Sequence, residues 1–468
     1  MGFQLSDFAG LDLSVAMTAA TDRQLAVHLH KPRRQEDLAF AYWLPSRGSR
    51  RYTAIITALV LPEDGERILR GNVAFLPGYL DRVLEGVPPG AGVALLHGHL
   101  GPGWQGMSGD DIVAEHDRLA GQVAGRTRLP LLGLTRGTDG AWSARFWPRK
   151  GPRLYEQRRV RTVRVVGRDL RITFHPSDEP PEASAALGET VTVWGTRAHA
   201  DLVRVRVGVV GLGSVGSLAA EACSRMGLGR LTYIDHDFIE MRNLDRTHGA
   251  TTADVVAGLT KVAVAARATG MSHTARELDL EVVPASVLTP SGFAAALDCD
   301  VIVCCVDRPW PRHLLNAVAY AHLIPVVDGG ILARVRPDGT PLHIDWRIHT
   351  VGPEHACMVC LGALRRSDVA LDRDGKLDDP DYIAGLSEED RAGLSRRNVF
   401  PFSMSVASHQ VLQLVGLVTG LQRVGGTGPQ MYHAYPGEME VLEARCEPGC
   451  EFAELTATAA DLSGNLKS

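Results

Sequence analysis

The sequence predicts an α/β protein of two domains, with a doubly wound, mostly parallel sheet in the C-terminal domain. Three observations support this prediction. The chain has 468 residues, too many for one ordinary hydrophobic core. Strand-like and helical runs alternate along most of it. A stretch rich in Pro, Ala, Ser and Glu interrupts the alternation. We therefore predict a domain over residues 1–175, a linker over 176–190 and a second domain over 191–468.

Composition and charge restrict the class of partner. Hydrophobic residues make up 45% and charged residues 22% of the chain, as in globular proteins with sizeable cores. The formal net charge of −5 does not favour nucleic-acid binding, which normally needs a basic face. No apolar run reaches the ~18–20 residues of a membrane span, and no signal peptide is visible. We therefore expect a cytoplasmic protein whose partners are neither nucleic acid nor membrane.

The N-terminal region contains patterns of both strands and helices. Apolar runs at 54–61 and 92–99 predict strands, and the spacing over 110–125 predicts a helix. Residues 129–147 predict a hairpin whose turn is Thr138-Asp139-Gly140.

From about residue 200 the pattern becomes strand, helix, strand, which is typical of a parallel sheet. Strands are predicted at 205–211, 230–235, 300–307 and 324–330, with a helix at 214–227 after the first. The polar, acidic stretch 365–398 predicts a loop, and the apolar stretch 403–420 predicts a buried helix.

The motif GLGSVG, residues 211–216, follows a predicted strand and begins a helix. Its glycines Gly211, Gly213 and Gly216 permit a tight bend and close approach of phosphates to the helix N-terminus. Asp235 lies 19 residues after Gly216 at a strand end, where a carboxylate can accept hydrogen bonds from ribose hydroxyls. This motif alone also fits an NAD-binding domain or a glycine turn without a ligand.

Residues downstream of the glycine motif favour ATP over NAD. Only five of the 49 basic residues are lysines, and Lys261 is the only lysine between residues 150 and 376. A compact ammonium group among phosphates is hard to replace by a guanidinium. Asp307 ends another predicted strand, where open α/β sheets bind ligands. An ATP–Mg²⁺ site needs such a carboxylate and such cations, whereas a dehydrogenase does not.

The order of these motifs resembles the ubiquitin-activating superfamily, whose bacterial branch includes the ThiF and molybdopterin-synthase adenylyltransferases. The resemblance spans roughly residues 190–450 and rests on GxGxxG, DxD, NLxR, a helix lysine and D-x4-R-x3-N. The last of these motifs is Asp307, Arg312 and Asn316. The resemblance implies a Rossmann-like fold, a homodimer, and adenylation of the C-terminal glycine of a ubiquitin-like protein. It also implies these ligands of ATP and Mg²⁺: Gly211, Gly213, Ser214, Gly216, Asp235, Asp237, Asn243, Arg246, Lys261 and Asp307.

Within that implied site each polar residue has a role. Asp235 would hold the ribose and Asp307 the magnesium ion, while Arg246 and Lys261 would bind the phosphates. The resemblance therefore implies that Arg246, Lys261 and Asp307 are the catalytic residues of the adenylation site, whose main task is to stabilise phosphate charge.

Two cysteine pairs indicate a structural zinc ion. Cys357-x-x-Cys360 and Cys446-x3-Cys450 lie about 90 residues apart and suit a closed tetrahedral site, as in this family. Two unrelated thiol pairs are the alternative. Residues 361–445 contain no cysteine, although the family's crossover loop often carries one for thioester or persulfide chemistry.

The segment HGHLGPGWQGMSGDD, residues 97–111, contains candidate ligands of a second metal ion. His97 and His99 are two apart on a predicted strand and therefore project to one face. Asp111, at a helix start, completes a set of two imidazoles and one carboxylate that leaves a fourth zinc position open, as catalytic zinc sites do. The alternatives are an ordinary Ser108-x-x-Asp111 capping box and solvated histidines.

The order HxH, turn, SxxD resembles the JAMM (JAB/MPN) metallopeptidases over about residues 20–150. The resemblance implies that His97, His99 and Asp111 hold a catalytic zinc ion. It also implies that Glu36 is the general base and that Ser108 stabilises the oxyanion. Eight residues rather than seven separate His99 from Ser108, and Leu100 stands where proline is usual.

Together the two resemblances predict a JAMM-like zinc isopeptidase fused to an adenylyltransferase for a ubiquitin-like protein. Such pairs occur in bacterial ubiquitin-like conjugation systems, some linked to antiphage (antiviral) defence, so a conjugating-enzyme-like protein is an expected partner. One alternative is the activation of a sulfur-carrier protein for cofactor or cysteine biosynthesis. Another is a non-catalytic N-terminal module that recruits the partner.

Overall fold

The computed structural model describes residues 2–31, 35–70, 72–335, 341–386, 398–421 and 426–466. The chain divides into two units. The first comprises Met1–Gly167, Arg171–Glu179 and Ala457–Ala459, and the second comprises Arg168–Leu170, Pro180–Thr456 and Ala460–Ser468.

The N-terminal part of the chain forms a nine-stranded mixed sheet in the order β13-β10-β9-β8-β4-β5-β1-β14-β15. The strands described in this part of the chain are β1 (Asp12–Thr18), β2 (His30–Lys31), β3 (Gln35–Glu36), β4 (Leu38–Arg47), β5 (Arg51–Val60), β6 (Arg67–Arg70), β7 (Asn72–Phe75), β8 (Gly92–Gly98), β9 (Leu131–Arg136), β10 (Trp142–Trp147), β11 (Arg149–Gly151), β12 (Leu154–Tyr155), β13 (Arg158–Arg159), β14 (Thr162–Val166) and β15 (Leu170–Phe174). Three pairs of them form separate two-stranded sheets: β2 with β3, β6 with β7, and β11 with β12. The helices are α1 (Ala19–Leu29), α2 (Pro77–Glu85), α3 (Gly109–Ile112) and α4 (Ala120–Thr127), with a π-helix, Val113–Leu119, between the last two and a 3-10 turn at Leu5–Phe8.

The side chains of strand β4 pack on both faces of this sheet. Successive side chains of a strand point to opposite faces, so alternate residues enter different cores. Ala39 and Trp43 pack in the cluster that contains Leu25 of α1. Phe40 packs in the cluster that contains Tyr79 of α2. The predicted hairpin over 129–147 is confirmed as the antiparallel pair β9 and β10.

The second unit is built on an eight-stranded sheet in the order β18-β17-β16-β19-β20-β21-β22-β23. Its strands are β16 (Val207–Val210), β17 (Arg230–Ile234), β18 (Asp279–Val283), β19 (Val301–Cys304), β20 (Val326–Val335), β21 (Pro341–Val351), β22 (Gln430–His433) and β23 (Glu438–Val441). Its helices are α5 (Gly188–Trp194), α6 (Thr196–Leu202), α7 (Ser214–Arg225), α8 (Thr252–Val256), α9 (Lys261–Ser272), α10 (Pro290–Leu297), α11 (Pro309–Ala321), α12 (Arg366–Arg373), α13 (Pro380–Gly385), α14 (Phe400–Thr419) and α15 (Glu451–Glu454), with 3-10 turns at Ala185–Leu187, Met241–Asn243, Lys376–Asp378 and Ser463–Asn465.

The predicted parallel sheet is confirmed from β18 to β20, where each neighbouring pair is parallel. Beyond β20 the pairs are antiparallel, so the sheet is mixed. In addition, the end of the segment predicted as a linker is helical, because the 3-10 turn Ala185–Leu187 and the start of α5 lie in it.

The loop predicted over 365–398 is wrong for residues 366–385, where α12, the 3-10 turn Lys376–Asp378 and α13 form. Long-range ion pairs give this polar stretch its structure: Arg308 bonds to Asp372 (2.8 Å) and to Asp378 (2.7 Å). Such partners, more than 60 positions away in sequence, leave no local signal. Residues 387–397 of the predicted loop lie outside the described residues.

The predicted buried helix over 403–420 is confirmed as part of α14, which spans 20 residues. Its buried side includes polar residues as well as apolar ones, among them Gln410 and Gln413. Within the described ranges, no helix has both the length and the apolar character that crossing a membrane requires.

Gln410 gives a test of how α14 is attached to the sheet. Its side chain is 0% exposed, and its Nε2 donates to the carbonyl oxygens of Cys304 (2.9 Å) and Val327 (3.0 Å). Replacing it in Gln410→Met leaves both buried carbonyls without that donor, so the free energy of unfolding should fall by about 2 kcal/mol. Urea denaturation followed by circular dichroism measures this.

Ser408→Ala, at an exposed position of the same helix, is the control and should change the free energy of unfolding by less than about 0.5 kcal/mol. Equal urea midpoints for wild type and Gln410→Met would contradict the proposed attachment.

Candidate functional site

The glycine motif joins β16 to α7 in a turn that excludes larger side chains at two positions. Gly211 has a φ of +89°, and a Cβ there would lie 2.9 Å from the backbone of Cys305. A Cβ at Gly216 would lie 1.8 Å from the carbonyl oxygen of Gly211. Gly213 faces open space. The turn is therefore tightly packed against β19 but open at the N-terminus of α7, where backbone N–H groups can receive phosphates.

Three predicted site positions follow neighbouring parallel strands. Gly211 follows β16, Asp235 follows β17, and Asp307 lies shortly after β19. These strands pair directly, β16 with β17 on one side and with β19 on the other. Their carboxyl ends therefore meet at one edge of the sheet, at the point where the strand order reverses, which is where open α/β sheets bind ligands.

Asp235 fixes the glycine turn to the end of β17. It is 7% exposed, and one carboxylate oxygen accepts the backbone N–H of Leu212 (2.6 Å) while the other accepts that of Asp237 (2.8 Å). Burial raises the pKa of Asp235, and the charge of Lys261 opposes that shift. In this structure the carboxylate thus organises the turn. Its ribose-binding role stays a prediction.

Lys261, the first residue of α9, lies beside the acidic pair. Its Nζ is 2.6 Å from Oδ2 of Asp237. Burial acts to raise the pKa of Asp237, but the hydrogen bond and charge of Lys261, together with the charges of His236 and Arg242, outweigh it and the pKa is lowered. The structure therefore brings Asp235, Asp237 and Lys261 together, as the resemblance implies.

The remaining predicted nucleotide residues make local contacts. Arg246 donates to the carboxylate of Asp245 (2.7 Å) and to the carbonyl oxygen of Arg242 (2.6 Å). The side-chain oxygen of Asn243 accepts the backbone N–H of Glu240 (3.0 Å). These bonds stabilise the turn between β17 and α8, and phosphate binding by Arg246 stays a prediction.

Sequence reasoning missed a residue at the N-terminus of α7. Asn398 donates from its side-chain nitrogen to the hydroxyl oxygens of Ser214 (2.7 Å) and Ser403 (2.8 Å). It thereby joins the first residue of α7 to α14. Asn398 is 184 residues from Ser214, and nothing in the local sequence marks it.

Arg312 and Asn316 of the D-x4-R-x3-N motif hold the unit together from α11. Arg312 is paired with the fully buried Asp328 (2.6 Å), to which Arg347 also bonds (3.3 Å). Burial acts to raise the pKa of Asp328, but the two arginines outweigh it and hold the pKa far below its usual range. Asn316 accepts the backbone N–H of Met358 (3.0 Å), which fixes the turn between Cys357 and Cys360.

The four cysteines predicted to bind zinc lie close together in the structure. One sulfur atom from each of Cys357, Cys360, Cys446 and Cys450 lies within 4.8 Å of the others. Cys357 Sγ and Cys450 Sγ are 3.6 Å apart, close to the ~3.8 Å between thiolates bound to one tetrahedral zinc at ~2.3 Å. The pKa of Cys446 is lowered, mainly by the hydrogen bond from Cys357, which favours its thiolate form. Four sulfur donors at these distances fit a closed zinc site.

The structure also brings together the three predicted ligands of the second metal ion, His97, His99 and Asp111. His97 Nε2 is 3.2 Å from Oδ1 of Asp111, and His99 Nε2 is 3.3 Å from Oδ2. Burial acts to raise the pKa of Asp111, but hydrogen bonds from the two histidines outweigh it and lower the pKa. The hydrogen bond with Asp111 raises the pKa of His99, and the charge of Glu36 acts in the same direction. One ligand atom from each lies within 4.8 Å of the others, so the cluster can hold a metal ion.

Glu36 and Ser108 are the other two residues of the predicted peptidase site. Leu38 pairs with His97 across β4 and β8, and the backbone N–H of Gly98 donates to the carbonyl of Asp37 (3.2 Å). Glu36 itself lies in β3, two residues before β4, and pairs with His30 across β2 and β3. Ser108 and Asp111 form the capping box, with Ser108 Oγ accepting the N–H of Asp111 (3.2 Å). The capping box and the ligand cluster therefore coexist.

Comparison with known proteins locates a family match in the C-terminal part. Residues 187–451 match the ThiF family. A molybdopterin-synthase adenylyltransferase of Escherichia coli (strain K12) is 24% identical over 248 residues, which cover 53% of this chain and 86% of that protein. The ubiquitin-like modifier-activating enzyme 5 of Drosophila melanogaster is 30% identical over 146 residues, covering 28% of this chain and 35% of that protein. The chain thus spans about a third of the length of this second relative.

Solved structures also align with a little over half of this chain. E. coli MccB with ATP aligns at a TM-score of 0.43 and 14% identity, over 56% of this chain and 71% of that one. PaaA aligns at a TM-score of 0.40 and 19% identity, over 55% and 83%. The family match covers more than half of this chain, so the chain belongs to the ThiF family.

Proposed function

We propose that this protein activates the C-terminal carboxylate of a ubiquitin-like protein by ATP-dependent adenylation. The observation that carries the proposal is the convergence of the glycine turn, Asp235 and Asp307 at one edge of a parallel sheet in a member of the ThiF family. Two of the relatives are named an adenylyltransferase and a ubiquitin-like modifier-activating enzyme, which supports the same reaction class. The likeness to the molybdopterin-synthase enzyme keeps a sulfur-carrier protein as the alternative substrate.

The reaction consists of one displacement at phosphorus. A carboxylate oxygen of the partner's terminal glycine attacks the α-phosphorus of ATP, the bond to the bridging oxygen breaks, and acyl-adenylate and pyrophosphate result. The N-terminus of α7 binds phosphate oxygens, and Lys261 and Arg246 neutralise their charge. Asp307 would hold Mg²⁺, which supplies further positive charge when bound. Because Lys261 is already paired with Asp237 and its charge also acts on Asp235, that additional charge is needed beside a triphosphate.

The thiols support transfer of the acyl group directly to a partner. None of the protein's eight cysteines is exposed. Burial raises the pKa of Cys304, at the end of β19, and of Cys305, which follows it, and this disfavours the nucleophilic thiolate. The other partly buried thiols belong to the four-cysteine cluster. We therefore propose that the adenylate reacts directly with a nucleophile on a conjugating-enzyme-like protein.

A second activity is proposed for the N-terminal unit: hydrolysis of a bond at the C-terminus of the same ubiquitin-like protein. The cluster of His97, His99 and Asp111 supports it, because two imidazoles and one carboxylate are the donor set of a catalytic zinc site. A zinc ion bound there would supply a Lewis acid. Glu36 would accept a proton from the attacking water and pass it to the leaving amine, and Ser108 would stabilise the oxyanion. A module that only recruits the partner is the alternative.

The proposal also includes a homodimer and a role in a bacterial conjugation system, of which antiphage defence is one setting. Cytoplasmic location stays a prediction. These points rest on the two family resemblances. Identification of the ubiquitin-like partner would decide between conjugation and sulfur transfer.

Metal content tests both proposed zinc sites. Purified protein should hold two zinc ions per chain, one resistant to dialysis against a chelator and one exchangeable, because a closed thiolate site binds more tightly than an open one. His97→Ala and Asp111→Ala should lose only the exchangeable ion, and Cys357→Ser should lose the resistant one. Elemental analysis by mass spectrometry measures both. Two ions retained by His97→Ala would contradict the peptidase site.

ATP–pyrophosphate exchange tests adenylation. Exchange should require a ubiquitin-like protein with a free C-terminal glycine, encoded next to this gene. It should fall by about 100-fold or more in Lys261→Ala and Asp307→Ala, which remove a phosphate cation and the proposed magnesium ligand. Lys261→Arg should restore little of it, because a planar guanidinium does not reproduce a compact ammonium group.

Lys376→Ala is the matched control for this exchange assay. Lys376 lies at the surface and pairs with Asp379 at 3.6 Å, so its loss should leave exchange unchanged. Wild-type rates in Lys261→Ala would exclude the lysine from the reaction. Exchange supported by a sulfur-carrier protein alone would favour the alternative substrate.

Cleavage of the ubiquitin-like protein's tail or conjugate tests the base. Glu36→Gln should keep the exchangeable zinc and lose cleavage by about 100-fold, since only the proton acceptor is removed. Glu156→Gln, which alters an acid paired with Lys150 in the same unit, should cleave normally. Gel analysis of product formation measures both variants, and equal activity of Glu36→Gln and wild type would exclude Glu36.

A further inference from the structure

A buried ion pair lies behind the N-terminal ligand cluster, between residues to which the sequence patterns assign no role. Glu115, in the π-helix, is 0% exposed and Arg145, on β10, is 3% exposed. Glu115 Oε2 accepts N–H groups from Arg145 (2.8 Å) and Trp147 (2.7 Å), and Oε1 pairs with the Arg145 Nη2 group. A buried charged pair is costly to desolvate, so a site that retains one gains little stability from it.

The strand beside Arg145 provides the space for this carboxylate. Gly133 of β9 pairs with Arg145 of β10. A Cβ at Gly133 would lie 2.2 Å from Glu115 Oε2 and 2.5 Å from Oε1. The carboxylate of Glu115 therefore occupies the space that a side chain at residue 133 would fill. The absence of a side chain at Gly133 lets the carboxylate keep this orientation.

Arg145 also reaches the first metal ligand. Its Nη1 donates to the hydroxyl oxygen of Thr135 (2.7 Å), and that oxygen lies 3.3 Å from His97 Nε2. Thr135 is 0% exposed and pairs with His97 across the parallel strands β8 and β9. A metal ion on His97 Nε2 would take the single lone pair of that nitrogen, so Thr135 acts in the loaded site by holding Arg145 next to His97 and not by a hydrogen bond to the imidazole.

Glu115 connects the same pair to the third ligand. Asp111 lies in α3, and Glu115 follows it by four residues in the π-helix that continues α3 without interruption. Single π turns are rare in helices and are frequent at functional sites. Because Glu115 is held to β10, the turn that presents Asp111 is held as well.

Asp111 needs such a restraint because its connection to the histidines is flexible. The segment from His99 to Asp111 contains Gly101, Gly103, Gly106 and Gly109, and glycine gives the backbone the greatest conformational freedom. We propose that the Glu115–Arg145 pair, itself held by Thr135, is the positioning element of the N-terminal metal site and fixes Asp111. This inference rests on the metal site proposed above.

Metal affinity of the full-length chain tests it. The affinity of the exchangeable site for Zn²⁺ is measured by competition with a chromophoric chelator, with His97→Ala as the blank, and Co²⁺ loading gives a visible spectrum that reports ligand geometry. Glu115→Gln and Gly133→Ala should weaken Zn²⁺ binding by about 10- to 100-fold and alter the Co²⁺ spectrum, as loss of outer-shell partners does. Thr135→Val should weaken it by about tenfold, and Thr135→Ser, which keeps the hydroxyl, should restore it.

Two controls separate positioning from general loss of stability. Asp22 of the same unit is a buried carboxylate that likewise accepts bonds from an arginine, Arg136 (3.2 Å), and a tryptophan, Trp142 (2.8 Å). Asp22→Asn should lower the melting temperature of the metal-free chain but leave Zn²⁺ affinity within about threefold. Gly125→Ala, where a Cβ meets nothing within 4 Å, is the control for Gly133→Ala and should change neither quantity.

The outcomes are distinguishable. Wild-type affinity in Glu115→Gln and Thr135→Val would overturn the inference alone, and so would an equal loss of metal in Asp22→Asn. A wild-type chain without exchangeable metal would overturn the proposed peptidase site and this inference together.

Discussion

The close approach of two backbone segments at the glycine turn is the constraint on which the C-terminal site depends. At Gly216 the first turn of α7 lies so near the carbonyl of Gly211 that no side chain fits between them. This contact determines where α7 starts relative to β16, and hence where its N–H groups point. Asp235 then accepts the N–H of Leu212 inside the turn, so the ends of β16 and β17 are fixed to each other. Any ligand of this edge meets a preformed surface, which lowers the cost of ordering on binding.

In the N-terminal unit the corresponding constraint is long-range. The alternation of side chains along a strand is enough to place His97 and His99 on one face of β8. Asp111 lies on a separate helix, α3, after a glycine-containing segment. Its carboxylate makes hydrogen bonds with both histidines and takes part in the capping box with Ser108. Capping and ligation are compatible because the carboxylate has two oxygens with several lone pairs. Oδ2 accepts the N–H of Ser108 (2.7 Å), and both oxygens still face the imidazoles.

What the sequence could predict follows from this difference between local and long-range determinants. The glycine turn, the cysteine pairs and the HxH–SxxD segment are patterns of neighbouring residues, so strand and helix periods were enough to predict which of them come together. The partners of Arg308 in α12 and its neighbouring turn are 64 and 70 positions away, and Asn398 is 184 positions from Ser214. Such contacts depend on how elements pack, which no single-sequence period encodes. For that reason residues 366–385, which lie in a polar stretch predicted as a loop, form α12, a 3-10 turn and α13.

Both units place a buried carboxylate behind a functional segment, but the two carboxylates are neutralised differently. Asp235 is bound by two backbone N–H groups, and its raised pKa shows that these dipoles do not fully offset desolvation. Additional positive charge at that edge, from Lys261 or from a cation that accompanies a nucleotide, therefore stabilises its ionised form. Glu115 is instead paired with a full cation in a closed niche. A carboxylate satisfied in this way gains nothing from an incoming ligand, so it is suited to hold other residues in place, whereas Asp235 is suited to respond to binding.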